Sequence, residues 1–168
     1  EIAGVTRVWV FPQWLGDGTV GVFFVRDNDV SIIPDAAEVA AVQAHIDVER
    51  PVTAIVSVIA PVAVAQNMTI AINPNDSATQ AAVQAELADV FVRDASVEDG
   101  NGSGTILISR LREAASIATG ESDNSIVVPS ANITLNPGEL VLGKTIEKIT
   151  LPKNICGRLE GRSRFARM

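Results

Sequence analysis

The sequence predicts an α+β fold: small helix-on-antiparallel-sheet layers in the order ββα and then ββαα, with a C-terminal β extension. Three observations predict it. Short runs rich in Val and Ile alternate apolar with polar residues, as strands do. Longer stretches place apolar residues at helical spacing behind a capping signature. Hydrophobic residues fill 47% of the 168 positions and aromatics only 4%, so the core is built from Val, Ala and Ile.

The elements follow in order. Val5 to Phe11 and Thr19 to Val25 read as strands joined through the turn Gly16-Asp17-Gly18, a hairpin with a loose loop. Pro34-Asp35 opens a helix, with Glu38 as capping-box partner and Val39, Val42 and Ile46 on one apolar face. Pro51 stops it. Ala54 to Ile59 and Val62 to Ile72 read as strands on either side of Pro61. Ser77 and Gln80 suggest a second capping box, followed by Val83, Leu87, Val90 and Phe91 along an amphipathic helix. Asp94 to Gly104 reads as a polar, glycine-rich loop, flexible and solvated from Asp99 onward. Ser109 is expected to cap a third helix through Leu111, Ala115 and Ala118, ended by Gly120. Ile126 to Val128, Ile133 to Leu135 and Leu140 to Leu151 read as strands. The expected units are 1–51, 52–140 and a β-rich basic tail at 141–168. The start at Glu1 and the end at Met168 read as cuts in a longer sequence.

Charge divides the chain. Residues 1–143 hold 6 Arg, no Lys and 18 acidic residues, a sum of −12. Residues 144–168 hold 3 Lys, 4 Arg and 2 Glu, a sum of +5. The acidic body would repel phosphate, which argues against a nucleic-acid partner. The longest apolar stretch, Val52 to Ala65, is too short to span a bilayer, so no membrane partner is expected. A lone cysteine, Cys156, forms no internal disulfide and suggests a reducing, cytosolic setting.

Several motifs have to be weighed against their structural readings. Gly16-x-Gly18-x-x-Gly21 matches a dinucleotide fingerprint, but a strand follows it where a helix N-terminus should hold the pyrophosphate, so it reads as a turn. Asp99-x-Asn101-x-Ser103-Gly104 resembles the start of a calcium loop, but its twelfth position is Arg110 instead of a bidentate glutamate. His45 is the single histidine and reads as a partly buried structural residue, since nothing completes a metal site or a nucleophile pair. Trp9 and Trp14 read as core residues, with a partner anchor as the alternative. Glu86 and Asp89 read as solvated helix-face residues. No constellation for catalysis, metal or cofactor is expected in the body.

Ordered segments carry a family resemblance. Gly4-Val5-Thr6-Arg7-Val8-Trp9-Val10, Gly18-Thr19-Val20-Gly21-Val22 and Ile33-Pro34-Asp35 open it. Val39 to Asp47, Arg50 to Ala54, Gly104 to Ala114 and Gly120-Glu121 continue it. Over roughly residues 1–140 the chain resembles the baseplate assembly protein J family of contractile-tailed, Mu-like phages. The resemblance implies a non-enzymatic structural component of a phage or prophage tail baseplate, acting in wedge assembly by protein–protein packing. It implies other baseplate subunits as partners, a possible homo-oligomer, assembly in the host cytoplasm and a place in the virion tail.

The tail resembles another family. Leu142-Gly143-Lys144-Thr145-Ile146-Glu147-Lys148-Ile149-Thr150-Leu151-Pro152 and Cys156 to Arg167 are similar to the central motif of the dCTP deaminase and dUTPase superfamily. That resemblance implies phosphate and catalytic-water contacts from Arg162 and Ser163, and a site-lining role for Arg167. A guanidinium and a hydroxyl at a turn suit a triphosphate. Arg164 stands where many members carry a second serine. The family's downstream glutamate has no counterpart here, so the alternative reading is an incomplete, inactive nucleotide binder. A third reading is an engineered or recombined chimera, with Pro137 to Leu140 as the seam.

Overall fold

A computed structural model describes residues 2–143. The fold is mixed α+β, in the order β1 (Arg7–Pro12), β2 (Thr19–Val25), α1 (Ala36–Glu49), β3 (Ile55–Ile59), β4 (Val62–Gln66), β5 (Thr69–Asn73), α2 (Ser77–Asp94), α3 (Ile108–Ile117), β6 (Asp123–Val128) and β7 (Glu139–Gly143). The strands form a sheet ordered β1-β2-β3 and two ribbons, β4-β7 and β5-β6. β1-β2 and β5-β6 are antiparallel, whereas β2-β3 and β4-β7 are parallel.

β2 explains the layering. Its run Val22-Phe23-Phe24-Val25 is buried throughout, as expected of a strand covered on both faces. Val22 and Phe24 meet Val42 of α1 and Val58 of β3 on one face. Phe23 and Val25 join the larger core on the other, with Val83, Leu87, Val90 and Phe91 of α2 and Leu111, Ala114 and Ala115 of α3. Leu140 and Val141 of β7 are almost fully buried in that larger core.

The caps follow local chemistry, with two corrections. Asp35 and Glu38 form the expected capping box of α1. At α2 the cap is Asp76, not Ser77: its carboxylate accepts from the Ala78 and Thr79 N–H groups, while the Gln80 side chain donates to Asn75. At α3 Ser109 does not cap. The helix starts two residues earlier, with Leu107 at the N-cap, and Asn132 Oδ1 accepts from the Ile108 N–H at 3.0 Å. That cap lies 24 residues away in sequence, so no local signature could announce it.

Two strand expectations also change. Val62 to Ile72 is not one strand but two, because the chain leaves β4 at Gln66 to pair with β6 through β5, and Met68 between them is buried. Ile133 to Leu135 supplies only a single bridge, Ile133 to Ile106. The expected strand from Leu140 to Leu151 is β7 as far as Gly143; the rest of that expectation lies outside the described residues.

Candidate interaction surface

One arginine adds polar contacts between the first sheet and the end of α2. Arg7 donates from Nε and Nη2 to the two carboxylate oxygens of Asp27, at 2.8 and 2.7 Å. Its Nη1 reaches the carbonyls of Val92 and Ala95, at 2.9 and 3.3 Å, where the dipole of α2 is negative. The guanidinium also lies 5.3 Å over the Trp9 ring. The hydrogen bond from Arg7 holds the Asp27 carboxyl below its ordinary pKa against the opposing effect of burial, and Thr6 adds to the effect.

The other face of β1 is uncovered. Val8 and Val10 pair with Phe24 and Val22, on the α1 side of the sheet. They are nevertheless 51% and 58% exposed, because β1 is an edge strand and α1 packs against β3. The outward side of α1 adds Ala37, Ala41, Ala44 and Val48, all exposed. Leu15 is exposed at the hairpin tip. Edge strands are normally guarded by charge or proline. Here β1 carries Arg7 at its start and Pro12 at its end, with neither between them.

Trp14 is an anchor for the core. Its ring packs edge-on to Phe23 at 4.9 Å and stacks on Phe11 at 5.7 Å. A Cβ on Gly21 would come within 2.7 Å of the Trp14 ring, so glycine there permits the approach. This is the physical role of the Gly16-x-Gly18-x-x-Gly21 stretch, with the strand β2 following Gly18. Trp9 is half-buried against the same core.

His45 departs from expectation: it is exposed on α1, because the buried side is set by Val42 with Val39 and Ile46. Asp89 is exposed, as expected, and pairs with Arg93 at 3.7 Å; Glu86 is half-buried. The calcium-like stretch is a closed turn. Asp99 accepts from the Asn101 backbone and side chain, which holds its pKa down at about 2. Arg110 belongs to α3, paired with Glu113 at 3.1 Å. Among the described residues, no group of three or more His, Cys, Asp or Glu side chains could hold a metal ion. Among them, too, no helix is long and apolar enough to cross a membrane. A shallow polar depression lies between α3 and β6, lined by Arg112, Ser116, Glu121, Asp123 and Asn124 among others.

The loop after α2 is glycine-rich, as expected, but it buries a carboxylate. Glu98 is only 3% exposed. Its carboxylate accepts from the N–H groups of Gly100, Gly102 and Gly104, at 2.7, 2.8 and 2.8 Å. Burial pushes the Glu98 pKa up, but these three donors outweigh it and hold the group below its ordinary range. The glycines at every second position facing one glutamate were the available signal. Arg162, Ser163 and Arg167, the residues named from the tail's resemblance, lie outside the described residues, as does Cys156.

Against known families, residues 1–60 match the Baseplate J-like central domain and residues 75–168 match a dCTP deaminase-like family. The chain belongs to the dCTP deaminase-like family by the second of these matches, and its first 60 residues are similar to the Baseplate J-like central domain. The protein JayE of Escherichia coli K12 is 33% identical over 147 residues, covering 87% of this chain and 54% of its own length. The baseplate protein gp47 of Escherichia phage Mu is 34% identical over 157 residues, covering 88% of this chain and 42% of its own length. A dUMP-forming dCTP deaminase of Corynebacterium diphtheriae is 49% identical over 49 residues, 29% of this chain and 26% of that enzyme. The chain therefore spans about half the length, or less, of the curated relatives it matches. The phage and deaminase matches cover more than the whole chain between them, so they share residues.

Proposed function

We propose that this chain is a structural part of a phage or prophage tail baseplate, contributing to wedge assembly by packing against neighbouring baseplate subunits. The observation that carries this reading is the alignment with the phage Mu baseplate protein along 88% of the chain. The uncovered Val8 and Val10 edge supports it, because exposed apolar strand edges mark association surfaces. On this reading the chain is non-enzymatic, is assembled in the host cytoplasm and resides in the virion tail. On it the stretches 1–51 and 52–140 are units of sequence that share one sheet and one core, since β2 pairs with β3 and Val141 is buried, and the basic run begins at Lys144, past a junction at Pro137 to Leu140. Size-exclusion chromatography with light scattering, on mixtures with the other baseplate proteins of phage Mu, tests it. A complex that is lost in the variant Val8→Lys, Val10→Lys is expected. No complex with any of them would sink the reading.

A second reading is favoured by the deaminase-like match at residues 75–168. In it the tail binds a deoxynucleoside triphosphate through Arg162, Ser163 and Arg167, without turnover. A ligand that binds the native state raises its melting temperature. A rise with dCTP or dUTP, abolished by Arg162→Ala, is the expected result; no rise at saturating nucleotide removes this reading.

A further inference from the structure

The strand that leads into the basic segment is held by a clasp. Glu98 pairs with the start of β7 through its backbone in both directions. Its N–H donates to the Glu139 carbonyl at 3.0 Å, and its carbonyl accepts from the Gly138 N–H at 2.8 Å. Its side chain at the same time gathers Gly100, Gly102 and Gly104, and Ser103 Oγ closes the loop onto the Val97 carbonyl at 2.7 Å. The loop is tight: a Cβ on Gly104 would stand 3.0 Å from both the Glu98 side chain and the Ser96 carbonyl.

β7 enters through a turn whose demands are mainly on the backbone. Asn136-Pro137-Gly138-Glu139 closes by a Glu139 N–H to Asn136 carbonyl bond of 3.0 Å, with Gly138 at φ +85°. Proline followed by glycine with positive φ is the signature of a type II turn. The Val62 N–H then donates to the Gly138 carbonyl at 2.9 Å, and β4 pairs with β7 in parallel from Val62–Glu139 to Gln66–Gly143. The side-chain demands on β7 itself are two buried apolar residues, Leu140 and Val141, and a half-buried Leu142.

We propose that the segment 97–104 is a clasp, set by the Glu98 carboxylate, which holds β7 by its backbone and accepts any strand of the form turn, polar residue, then consecutive apolar residues. The clasp fixes the register in which β7 joins β4. The proposal does not depend on the baseplate reading.

Hydrogen exchange read by mass spectrometry on the full chain tests it. In Glu98→Gln, the amides of Glu139–Gly143 and of 98–104 should exchange about 10-fold faster or more, the scale of a lost charge-assisted hydrogen bond. Those of Arg7–Pro12 and Thr19–Val25 should be unchanged. Unchanged β7 protection, or equal loss everywhere, overturns the proposal. Should Glu98→Gln fail to fold, exchange of the unaltered chain in rising denaturant decides instead. Residues 98–104 and β7 should then open as one unit before β1-β2, and separate opening overturns the clasp. Leu140→Met, which conserves volume, should keep β7 protected. If it loosens β7 as much as Glu98→Gln does, the strand is held by side-chain identity and not by its backbone.

Discussion

The two faces of the first sheet are built to different standards. On one, Phe23 and Val25 join a core that draws on α2, α3, β6 and β7. On the other, Val22 and Phe24 meet one helix, and the buried members number four with Val42 and Val58. The thick side is closed by polar devices: Arg7 seals the end of α2, and Glu98 seals β7. On the thin side Gln43 of α1 bonds to the Val56 carbonyl and the Val58 N–H of β3 and Arg26 pairs with Glu38, yet Val8 and Val10 stay in contact with solvent. The lesson is that this body stabilises itself mostly through one face and keeps apolar surface available on the other.

Four measurements break or sharpen that contrast. The largest effect belongs to the thick side. Leu140→Ala should destabilise by about 3–5 kcal/mol, the range for deleting a fully buried leucine, read as a lower denaturant midpoint. An effect below about 1 kcal/mol would mean that β7 is not part of the core. Arg7→Ala should follow at about 2–3 kcal/mol, since it strips Asp27 of a bidentate partner and uncaps two carbonyls of α2. On the thin side, Val42→Ala should cost about 1–2 kcal/mol. A cost equal to that of Leu140→Ala would erase the distinction. The smallest effect is at the open edge: Val10→Thr should change stability by about 0.5 kcal/mol or less while weakening association.

Acid provides a separate test. Glu98, Asp27 and Asp99 all have folded pKa values below the ordinary range, Asp99 at about 2. The unfolded chain therefore binds their protons first. The stability they contribute is fully present above their unfolded values near 4 and is lost as pH falls through their folded values. Circular dichroism should show stability declining between about pH 4 and pH 2. The Glu98→Gln variant should decline less steeply, because one of the titrating groups is gone. An identical slope in the variant would mean that Glu98 does not titrate differently in the folded state.

What was legible in the sequence was what is local. The Asp35–Glu38 box, the α2 stripe Val83-Leu87-Val90-Phe91 and the strand β2 could be read because each is declared within one turn or one run. The pairing of strands could not. Alternation reports a half-buried strand but not its partner, so the parallel ladders β2-β3 and β4-β7 were invisible. The cap of α3 by Asn132 and the bond of Arg7 to Val92 join distant residues and leave no local trace. Glu98 was missed because glycine and acidic residues read alike as solvated loop, whereas here the glycines supply the donors that make burial of the carboxylate tolerable.

The parallel ladder between β4 and β7 also has a consequence in time. Val62 must find Glu139, 77 positions later, before the larger core can close. Contacts that distant are entropically costly to form and slow a fold. A ribosome making this chain releases β1, β2 and α1 long before the strand that completes the opposite face exists. The open Val8 and Val10 edge and the unfinished core are then exposed together, and the arrival of β7 decides when this core stops being vulnerable to aggregation.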